Sequence, residues 1–584
     1  MNFFHVYRED WVEGLEKNGL LNKDSGFKLQ HDFPIPRHRL FNEAAAVGTP
    51  LYNRVREGKI PFYIDRIAGG TTFWPGYTFD KALIEAYRNL LGEEFLGFQL
   101  HESVSNRRNV DWGRILSVTN QQKSGYDPAF LREKLMSKYA RTAEGERLVG
   151  LSQGTPEEYA QMTYAETVPD FVEEVRQMFV KYMGMTDGAI LPVDSGLIFS
   201  KMQAEMGMTA IMPEIGGCVA LTRLSMATAR GVAETYRKKW GAYYECWRAD
   251  WFPETRTCAY NMPCFSQDDF NEWYLTQALH GGDDFTTHGE NGGCSRLLQE
   301  RIYYHALLSG ADYMSEEWGF RCSYYDTKDY ALTPYGEVKK RFIADTQRVG
   351  KVRAVTPFAL VLPTDCPCVE TTDRLVTHRV GDRRGKYMRS IALTPAETEY
   401  YGHIDNLYTL LFNRTEDTYG NESHALTNGL FGDVFDVIYA DAPDEVLAKY
   451  EYLIDATAEG KFIKEKAGRG YKILDSRDPW ALKAELDRLI PALMPVYVDG
   501  LHWLVSLGAD GTRYLTVFNN EGNERTTEHG DTINHAYDKR VTVTLKDGVL
   551  SVFKPAREEI DLERVDGHTY RLTVSAADFV IFTF

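Results

Sequence analysis

The chain has little of what membrane-spanning, nucleic-acid-binding or disulfide-stabilised proteins need. No apolar run reaches the ~18 consecutive residues that a membrane helix requires. Lys and Arg number 66 against 84 Asp and Glu, and a net charge of −18 does not suit a nucleic-acid surface, which needs clustered positive charge. Eight cysteines in 584 residues lack the dense spacing of a disulfide framework. We therefore expect a globular protein that binds neither nucleic acid nor a membrane.

Signatures of metals and of export are also absent from the sequence. Cys246, Cys258, Cys264 and Cys294 could gather around zinc, but no CxxC pair anchors them. No compact DxD or HxH pair is present either, so we expect no metal and no cofactor. The opening residues, MNFFHVYREDW, lack the basic and apolar segments of a secretory signal. Together with the cysteine spacing, this predicts a cytoplasmic protein.

Strand-like and helix-like stretches alternate over the first 350 residues or so, which is typical of a parallel sheet with crossover helices. The predicted strands cover residues 3–7, 27–33, 60–67, 95–102, 189–194, 209–214, 241–246 and 311–316. Eight strands interleaved with helices predict a (β/α)8 TIM barrel over residues 1–354. If residues 3–7 are not a strand, residues 285–293 must supply the eighth.

The pattern changes after the barrel. Buried runs at 357–365 and 433–443 continue an α/β rhythm, and we predict a smaller flavodoxin-like α/β domain over residues 355–495. This segment contains no GxGxxG or Walker motif, so a nucleotide site is not expected there. Short alternating runs separated by turn residues then predict an antiparallel β-sandwich over residues 496–584.

Ionisable side chains stand at the ends of most predicted barrel strands, where barrel enzymes place catalytic groups. They are Asp32, Asp65, Arg66, His101, Glu102, Asp194, Glu214, Glu245, His288, Glu290, Glu316 and Glu317. So many acids at one rim indicate recognition of a cation or a polyhydroxyl ligand, or acid–base catalysis. Glycoside hydrolysis needs two carboxyl groups that flank the bond to be broken. Glu102 and Glu245 meet this need at the ends of the fourth and seventh predicted strands.

A glutamate that ends strand four and another that ends strand seven resemble the retaining barrel glycosidases of clan A. The order of barrel, small α/β domain and β-sandwich resembles the family 42 β-galactosidases and their relatives. The resemblance implies that Glu102 is the acid/base and Glu245 the nucleophile, with His101 standing where most clan members have Asn. It also implies a homo-oligomer, with a trimer assembled through the middle domain as in the relatives of that family.

Further residues are candidates for binding substrate. Asp65, Arg66, His101, Asn106 and Glu214 are expected to contact sugar hydroxyls. Glu290, in the sequence GENGG, is the main rival of Glu245 as nucleophile. Glu316 and Glu317 are a third possibility, and at most one of them faces the pocket because neighbouring strand residues point to opposite sides. By the resemblance, Trp318 would form the floor of a sugar subsite.

The leading hypothesis is a retaining, exo-acting β-glycosidase that hydrolyses short oligosaccharides with two glutamates. Three alternatives stay open. One is an inverting glycosidase or a glycoside phosphorylase on the same scaffold, and another is a lyase or isomerase whose rim acids bind Mg²⁺ or Mn²⁺. The third is a sugar-binding protein without activity. The sequence does not identify the sugar, since specificity lies in loops.

Overall fold

The structure is a computed structural model. It describes residues 1–6, 9–29, 37–68, 79–101, 167–194, 199–216, 222–246, 248–252, 257–262, 287–288, 292–317, 323–324, 329–364, 394–413, 426–526, 529–557 and 560–584. Among these residues, no helix is long and apolar enough to cross a bilayer.

Eight parallel strands close into a barrel in the first 316 residues, in the order β1-β2-β3-β4-β5-β6-β7-β11. The strands of this region are β1 (Asn2–Val6), β2 (Ser25–Leu29), β3 (Phe62–Ala68), β4 (Phe95–His101), β5 (Ile190–Asp194), β6 (Ala210–Gly216), β7 (Lys239–Glu245), β8 (Arg248–Phe252), β9 (Thr257–Met262), β10 (Thr287–His288) and β11 (Tyr313–Glu316). The predicted TIM barrel is confirmed, with each strand starting within a few residues of its expected position. Because β1 is a barrel strand and β10 pairs with β9 in a separate three-stranded sheet, the alternative for residues 285–293 is wrong.

Helices cover the barrel and connect its strands. They are α1 (Glu9–Lys17), α2 (Arg37–Val47), α3 (Pro50–Gly58), α4 (Lys81–Leu91), α5 (Val168–Met185), α6 (Ser200–Glu205), α7 (Thr222–Tyr236), α8 (Arg296–Leu308) and α9 (Pro334–Val349). Several begin at a side chain that accepts hydrogen bonds from the first free backbone N–H groups. Asp80 does so for α4, Ser295 for α8 and Thr333 for α9. These short polar residues fix where each helix starts after its strand.

The barrel interior is filled from the bottom by a separate apolar cluster. Its members are Phe3, Tyr63, Leu96, Leu191, Val193, Ala210, Met212, Tyr243 and Tyr313. Along β4 the usual alternation is broken at Gly97, which has a positive φ of 81° and where a Cβ would lie 2.2 Å from the carbonyl oxygen of Ala189. The register shift at this point turns both Leu96 and Gln99 towards the interior. A glycine-dependent bulge therefore decides which side chains β4 offers to the site.

Two further sets of sheets follow the barrel. The next strands and helices are β12 (Val352–Ala354), β13 (Phe358–Leu362), α10 (Pro395–Phe412), β14 (Phe435–Tyr439), α11 (Asp444–Leu447), β15 (Tyr452–Asp455), α12 (Lys461–Lys466), β16 (Ile473–Asp475) and α13 (Pro479–Leu493). Strands β13 to β16 form a parallel sheet in the order β14-β13-β15-β16. A parallel sheet is what an α/β rhythm requires, since each strand is reached by a crossover.

The last ninety residues are antiparallel. Their strands are β17 (Val496–Val498), β18 (His502–Gly508), β19 (Arg513–Phe518), β20 (Asn523–Thr526), β21 (Gly530–Ile533), β22 (Lys539–Leu545), β23 (Ser551–Lys554), β24 (Asp561–Arg564), β25 (Thr569–Val574) and β26 (Phe579–Thr583). They make the sheets β12-β18-β19-β26-β23 and β17-β22-β25-β24 and the hairpin β20-β21. Strand β12, which leaves the barrel, pairs with β18, so the chain enters this sheet directly after α9.

A buried ionic cluster joins the three parts of the chain. Asp433, just before β14, accepts hydrogen bonds from His305 Nε2 of α8 at 2.5 Å and from His502 Nε2 of β18 at 2.7 Å. Its other oxygen lies 2.8 Å from Arg223 Nε of α7, and Asn520 Nδ2 lies 2.9 Å from His502 Nδ1. Although burial acts to raise it, Arg223 and the two histidines hold the pKa of Asp433 well below its usual range. The buried carboxylate is thus kept ionised by partners from all three parts.

The junction makes stability depend on pH. Burial lowers the pKa of His502 from 6.5 to about 3. The unfolded chain therefore binds a proton below pH 6.5 that the folded chain does not, and stability falls as pH drops from 6.5 towards 3. We expect this histidine to contribute a slope of about 1.4 kcal/mol per pH unit in that window.

The measurement is urea unfolding of the wild type and of His502→Gln at several values between pH 7 and pH 4.5. A glutamine amide can still donate to Asp433 but does not titrate, so the variant should lose less stability on acidification. Equal slopes for the two proteins would contradict the assignment.

Candidate functional site

The inward faces of the barrel strands can be identified from contacts across the barrel. Tyr63 OH lies 2.6 Å from Ser315 Oγ, and these residues belong to β3 and β11, which are not neighbours. Both side chains must therefore point inward. Because side chains alternate along a strand, Asp65 and Glu317, two residues further on, also face the interior. The same alternation places Glu214 above Met212 and Glu245 above Tyr243.

Three groups converge near the carboxyl ends of β4, β6 and β11. His101 Nε2 lies 3.5 Å from Glu317 Oε1 and 3.9 Å from Glu214 Oε1, and one donor atom of each residue lies within 4.8 Å of the other two. All three side chains are buried, with relative exposures of 1%, 3% and 0%. The ring of His101 also contacts the ring of Tyr243 edge to face, with centroids 5.6 Å apart. Two carboxylates and an imidazole thus share one closed space.

A second group lies inside the barrel at the ends of β2 and β3. Lys28 Nζ is 3.2 Å from Asp65 Oδ1 and donates to Tyr243 OH at 2.6 Å and to the backbone oxygen of Glu316 at 3.1 Å. His5 Nε2 is 3.9 Å from Asp65 Oδ2. A buried charge is tolerated only when it is paired and hydrogen-bonded, and Lys28 meets both conditions. This group fixes Tyr243, which separates it from His101.

Glu245 ends β7 on the next strand to Glu214, with 3% of its surface exposed. In the register of the two strands, Gly216 is opposite Glu245 and Glu214 is opposite Tyr243. Glu245 therefore stands two residues, about 6.6 Å, further towards the barrel mouth. A Cβ at Gly216 would lie 2.7 Å from both the Cβ and the backbone oxygen of Glu245, so only glycine allows this approach.

Glu316 is on the outside of the barrel, which corrects the prediction that it binds substrate. Its carboxylate accepts a hydrogen bond from Tyr303 OH of α8 and forms an ion pair with Lys339 of α9. Burial and this neighbouring carboxylate raise the pKa of Tyr303 well above its ordinary value, so the phenol stays a proton donor. Ser315 points inward, and the residue after it must point outward. Of the adjacent pair, Glu317 is the glutamate that faces the interior.

The other predicted residues divide into two groups. Asp65, His101, Glu214 and Glu245 are brought together inside the barrel, and their roles stay predictions. The predicted catalytic Glu102 and the predicted ligands Asn106, Glu290 and Trp318 lie outside the described residues, as does the side chain of Arg66 in β3.

The sequence did not reveal that Lys28, His5 and Gln99 face the interior. Lys28 lies in the apolar run Gly26-Phe27-Lys28-Leu29, and a charged residue in the middle of a strand buried on both faces was the available signal. Gln99 could not be recognised, because its direction depends on the register shift that begins at Gly97.

The close approach at Gly216 can be tested by adding one methyl group. Gly216→Ala should push β7 away from β6 at Glu245. It should lower the free energy of unfolding by about 1–3 kcal/mol, as overpacking does. Gly402→Ala in α10 is the control, since a Cβ there meets nothing within 4 Å. In a helix that change should stabilise by about 0.5–1 kcal/mol. Urea unfolding measures both, and a neutral Gly216→Ala would show that the approach is not tight.

The opposite faces of Glu316 and Glu317 predict different costs of substitution. Glu316→Gln leaves Lys339 as a buried cation and should lower the free energy of unfolding by about 3 kcal/mol. Glu317→Gln removes one of two neighbouring acids in the interior and should cost less. The double variant Glu316→Gln/Lys339→Met should recover part of the loss, because it also removes the buried positive charge that had lost its carboxylate. Thermal and urea unfolding measure the stability of each variant. Equal losses of stability in both single variants would contradict the assignment of faces.

No protein-family model and no curated protein matches the chain. Among solved structures, it is similar to the catalytic module of a family 98 glycoside hydrolase from Streptococcus pneumoniae TIGR4, solved with the Lewis Y pentasaccharide. The two share 10% identity and a TM-score of 0.41 over 100% of this chain and 98% of that one. α-L-fucosidase isoenzyme 2 from Paenibacillus thiaminolyticus shows 9% identity and a TM-score of 0.40, over 100% and 99%.

A rhamnosidase from Novosphingobium sp. PP1Y is 10% identical with a TM-score of 0.35, over 88% of this chain and 49% of that one. At these TM-scores the likeness supports no statement about the activity of this chain. The resemblance to family 42 stays a prediction.

Proposed function

We propose that the chain is a glycoside hydrolase that acts on short oligosaccharides inside the barrel. One observation supports this more than any other: acidic side chains of β6, β7 and β11 converge with His101 at the carboxyl ends of the strands. Most glycoside hydrolases use a pair of carboxyl groups that flank the bond to be broken. Burial and neighbouring acids can keep one of them protonated near neutral pH while another stays ionised.

The proposed mechanism is retaining, with Glu245 as nucleophile and Glu102 as acid/base. Glu245 attacks the anomeric carbon, and Glu102 protonates the leaving oxygen as the glycosidic bond breaks. Water then attacks the covalent intermediate, gives its proton to Glu102 and releases Glu245. Glu245 is buried at the end of β7, which supports its role as nucleophile. A site with little water strengthens the interaction of its carboxylate with the positive charge that develops on the sugar.

The remaining interior groups are proposed to bind the sugar. Asp65, His101 and Glu214 would contact its hydroxyls, and the ring of Tyr243 lies between the two polar groups. We also propose the sequence-based roles for the residues outside the described part: Arg66 and Asn106 as hydroxyl ligands, Glu290 as a rival nucleophile and Trp318 as the floor of a subsite. Exo action on a β-linkage is part of the same proposal.

The finer domain assignments belong to the proposal as well. The sheet order β14-β13-β15-β16 corresponds to 2-1-3-4, which agrees with a flavodoxin-like domain at 355–495. Two antiparallel sheets agree with a sandwich at 496–584. We propose a cytoplasmic homo-oligomer, with a trimer as the form to test.

The test is a screen of aryl glycosides against the wild type, Glu245→Gln and Glu102→Gln. The uncharged amide cannot form the glycosyl intermediate, so Glu245→Gln should lower kcat/KM at least about a thousand-fold, or ~4 kcal/mol. Glu57→Gln, on the exposed face of α3, is the matched control and should leave kcat/KM unchanged.

Three results would count against the proposal. Wild-type rates in both Glu245→Gln and Glu102→Gln would show that these two residues are not the catalytic pair. Inversion of the anomeric configuration, detected by NMR of the hydrolysed substrate, would show that water and not Glu245 is the nucleophile. If no glycoside were hydrolysed, the chain would be a binding protein or an enzyme with another chemistry.

A further inference from the structure

We propose that His101, Glu214 and Glu317 bind one divalent metal ion inside the barrel. The residues come from β4, β6 and the end of β11, so the closed barrel and not a single loop brings them together. One donor atom of each residue, a ring nitrogen or a carboxylate oxygen, lies within 4.8 Å of the other two, and every side chain is at least nine-tenths buried. One imidazole and two carboxylates form a ligand set that suits Zn²⁺ or Mn²⁺.

The spacing of the three atoms fits an ion between them. The distances from His101 Nε2, 3.5 Å to Glu317 and 3.9 Å to Glu214, exceed the 2.7–3.2 Å of an ordinary N–H···O hydrogen bond. A triangle with sides of 3.5, 3.9 and 4.8 Å, the last being the upper limit for the donor atoms of this cluster, has a point about 2.4 Å from each corner. Shifts of a few tenths of an ångström would bring all three to the 2.0–2.2 Å of zinc bonds to nitrogen and oxygen.

Gln99 supplies the outer partner that a metal-binding histidine needs. Its amide Nε2 lies 3.0 Å from His101 Nδ1, and the side chain is fully buried. Its carbonyl oxygen has no hydrogen-bond partner among the described residues. A half-turn of the amide places that oxygen against Nδ1, where it accepts the ring N–H. His101 Nε2 then presents its lone pair to the space between Glu214 and Glu317, as in metal sites whose histidines are held by an outer acceptor.

A second buried cluster among the described residues has a closer spacing. At the domain junction, Asp433 accepts directly from His305 and His502 at 2.5 and 2.7 Å, so no atom fits between them. Arg223 already neutralises that carboxylate at 2.8 Å. The barrel cluster has the same donor types at a wider spacing. The difference in spacing assigns hydrogen bonds to one cluster and a metal ion to the other.

Three protein ligands leave positions open on the ion, which is typical of sites that also hold water or substrate. In this part the inference depends on the proposed function: the open positions would take two neighbouring hydroxyl oxygens of a sugar. A chelated diol would fix the ring beside Glu245, the neighbouring acid on β7. The substrate class so defined is a glycoside with adjacent free hydroxyls.

The experiment is titration calorimetry of the dialysed full-length chain with Zn²⁺ and, separately, with Mn²⁺. We expect one ion per chain for at least one metal, accompanied by a rise in Tm. Glu317→Gln and His101→Asn should abolish saturable binding, and Gln99→Leu should weaken it about 10- to 100-fold, as loss of an outer partner does. Glu316→Gln is the matched control, because its carboxylate is on the opposite face and should leave metal affinity unchanged.

Circular dichroism verifies that each variant is folded, and Gln99→Leu keeps the test decisive if a ligand variant does not fold. No saturable binding of either metal, or binding that all variants retain, would overturn the site. Hydrolysis of an aryl glycoside by chelated, metal-free protein would end the role in substrate binding but not the proposed function. A bound metal without turnover of any glycoside would keep the site and end the proposed function.

Discussion

The closure of the barrel between β1 and β11 is the constraint on which the site depends. Asn2 is paired with Met314, the backbone N–H of Met314 donates to the oxygen of Met1, and the terminal ammonium of Met1 donates to the oxygen of Asp312. Without this contact the sheet would have two open edges and no interior. With it, side chains from strands that are distant in sequence, such as His101 of β4 and Glu317 at the end of β11, come within 3.5 Å of each other. The convergence of His101 and Glu317 is a direct result.

Closure also sets a strong electrostatic constraint. The interior holds acids from several strands, and buried charges are costly unless partners offset them. Lys28 meets this need for Asp65 at 3.2 Å. On the outer face, Lys339 does the same for Glu316. Separate cations thus offset buried acids on the two faces of the sheet, Lys28 for Asp65 inside the barrel and Lys339 for Glu316 outside it.

The barrel could be predicted from the sequence because each strand carries its own signal. Runs buried on both faces, separated by helical periodicity, mark β1 to β7 and β11 independently of one another. The site could be predicted only in part, because the direction of a side chain depends on register. The pair Glu316 and Glu317 shows this. The sequence predicts that at most one of them faces inward, and only the contact of Ser315 with Tyr63 shows which one. Gln99 was hidden by the bulge at Gly97 for the same reason.

Contacts between domains were beyond sequence reasoning, yet they support the strands that carry the site. Helix α7 connects β6, which carries Glu214, with β7, which ends in Glu245, and two of its arginines pair with the middle domain. Arg223 binds Asp433, and Arg230 Nε lies 2.8 Å from Asp436 Oδ1.

Directly after Arg230 on α7, the helix approaches β14 so closely that a Cβ at Gly231 would lie 1.9 Å from the oxygen of Val437. A helix held at both its charged contacts and its backbone cannot shift without moving the strands before and after it. The middle domain therefore limits how far the acids of β6 and β7 can move apart. In this way a part of the chain that contributes no side chain to the site among the described residues still sets its geometry.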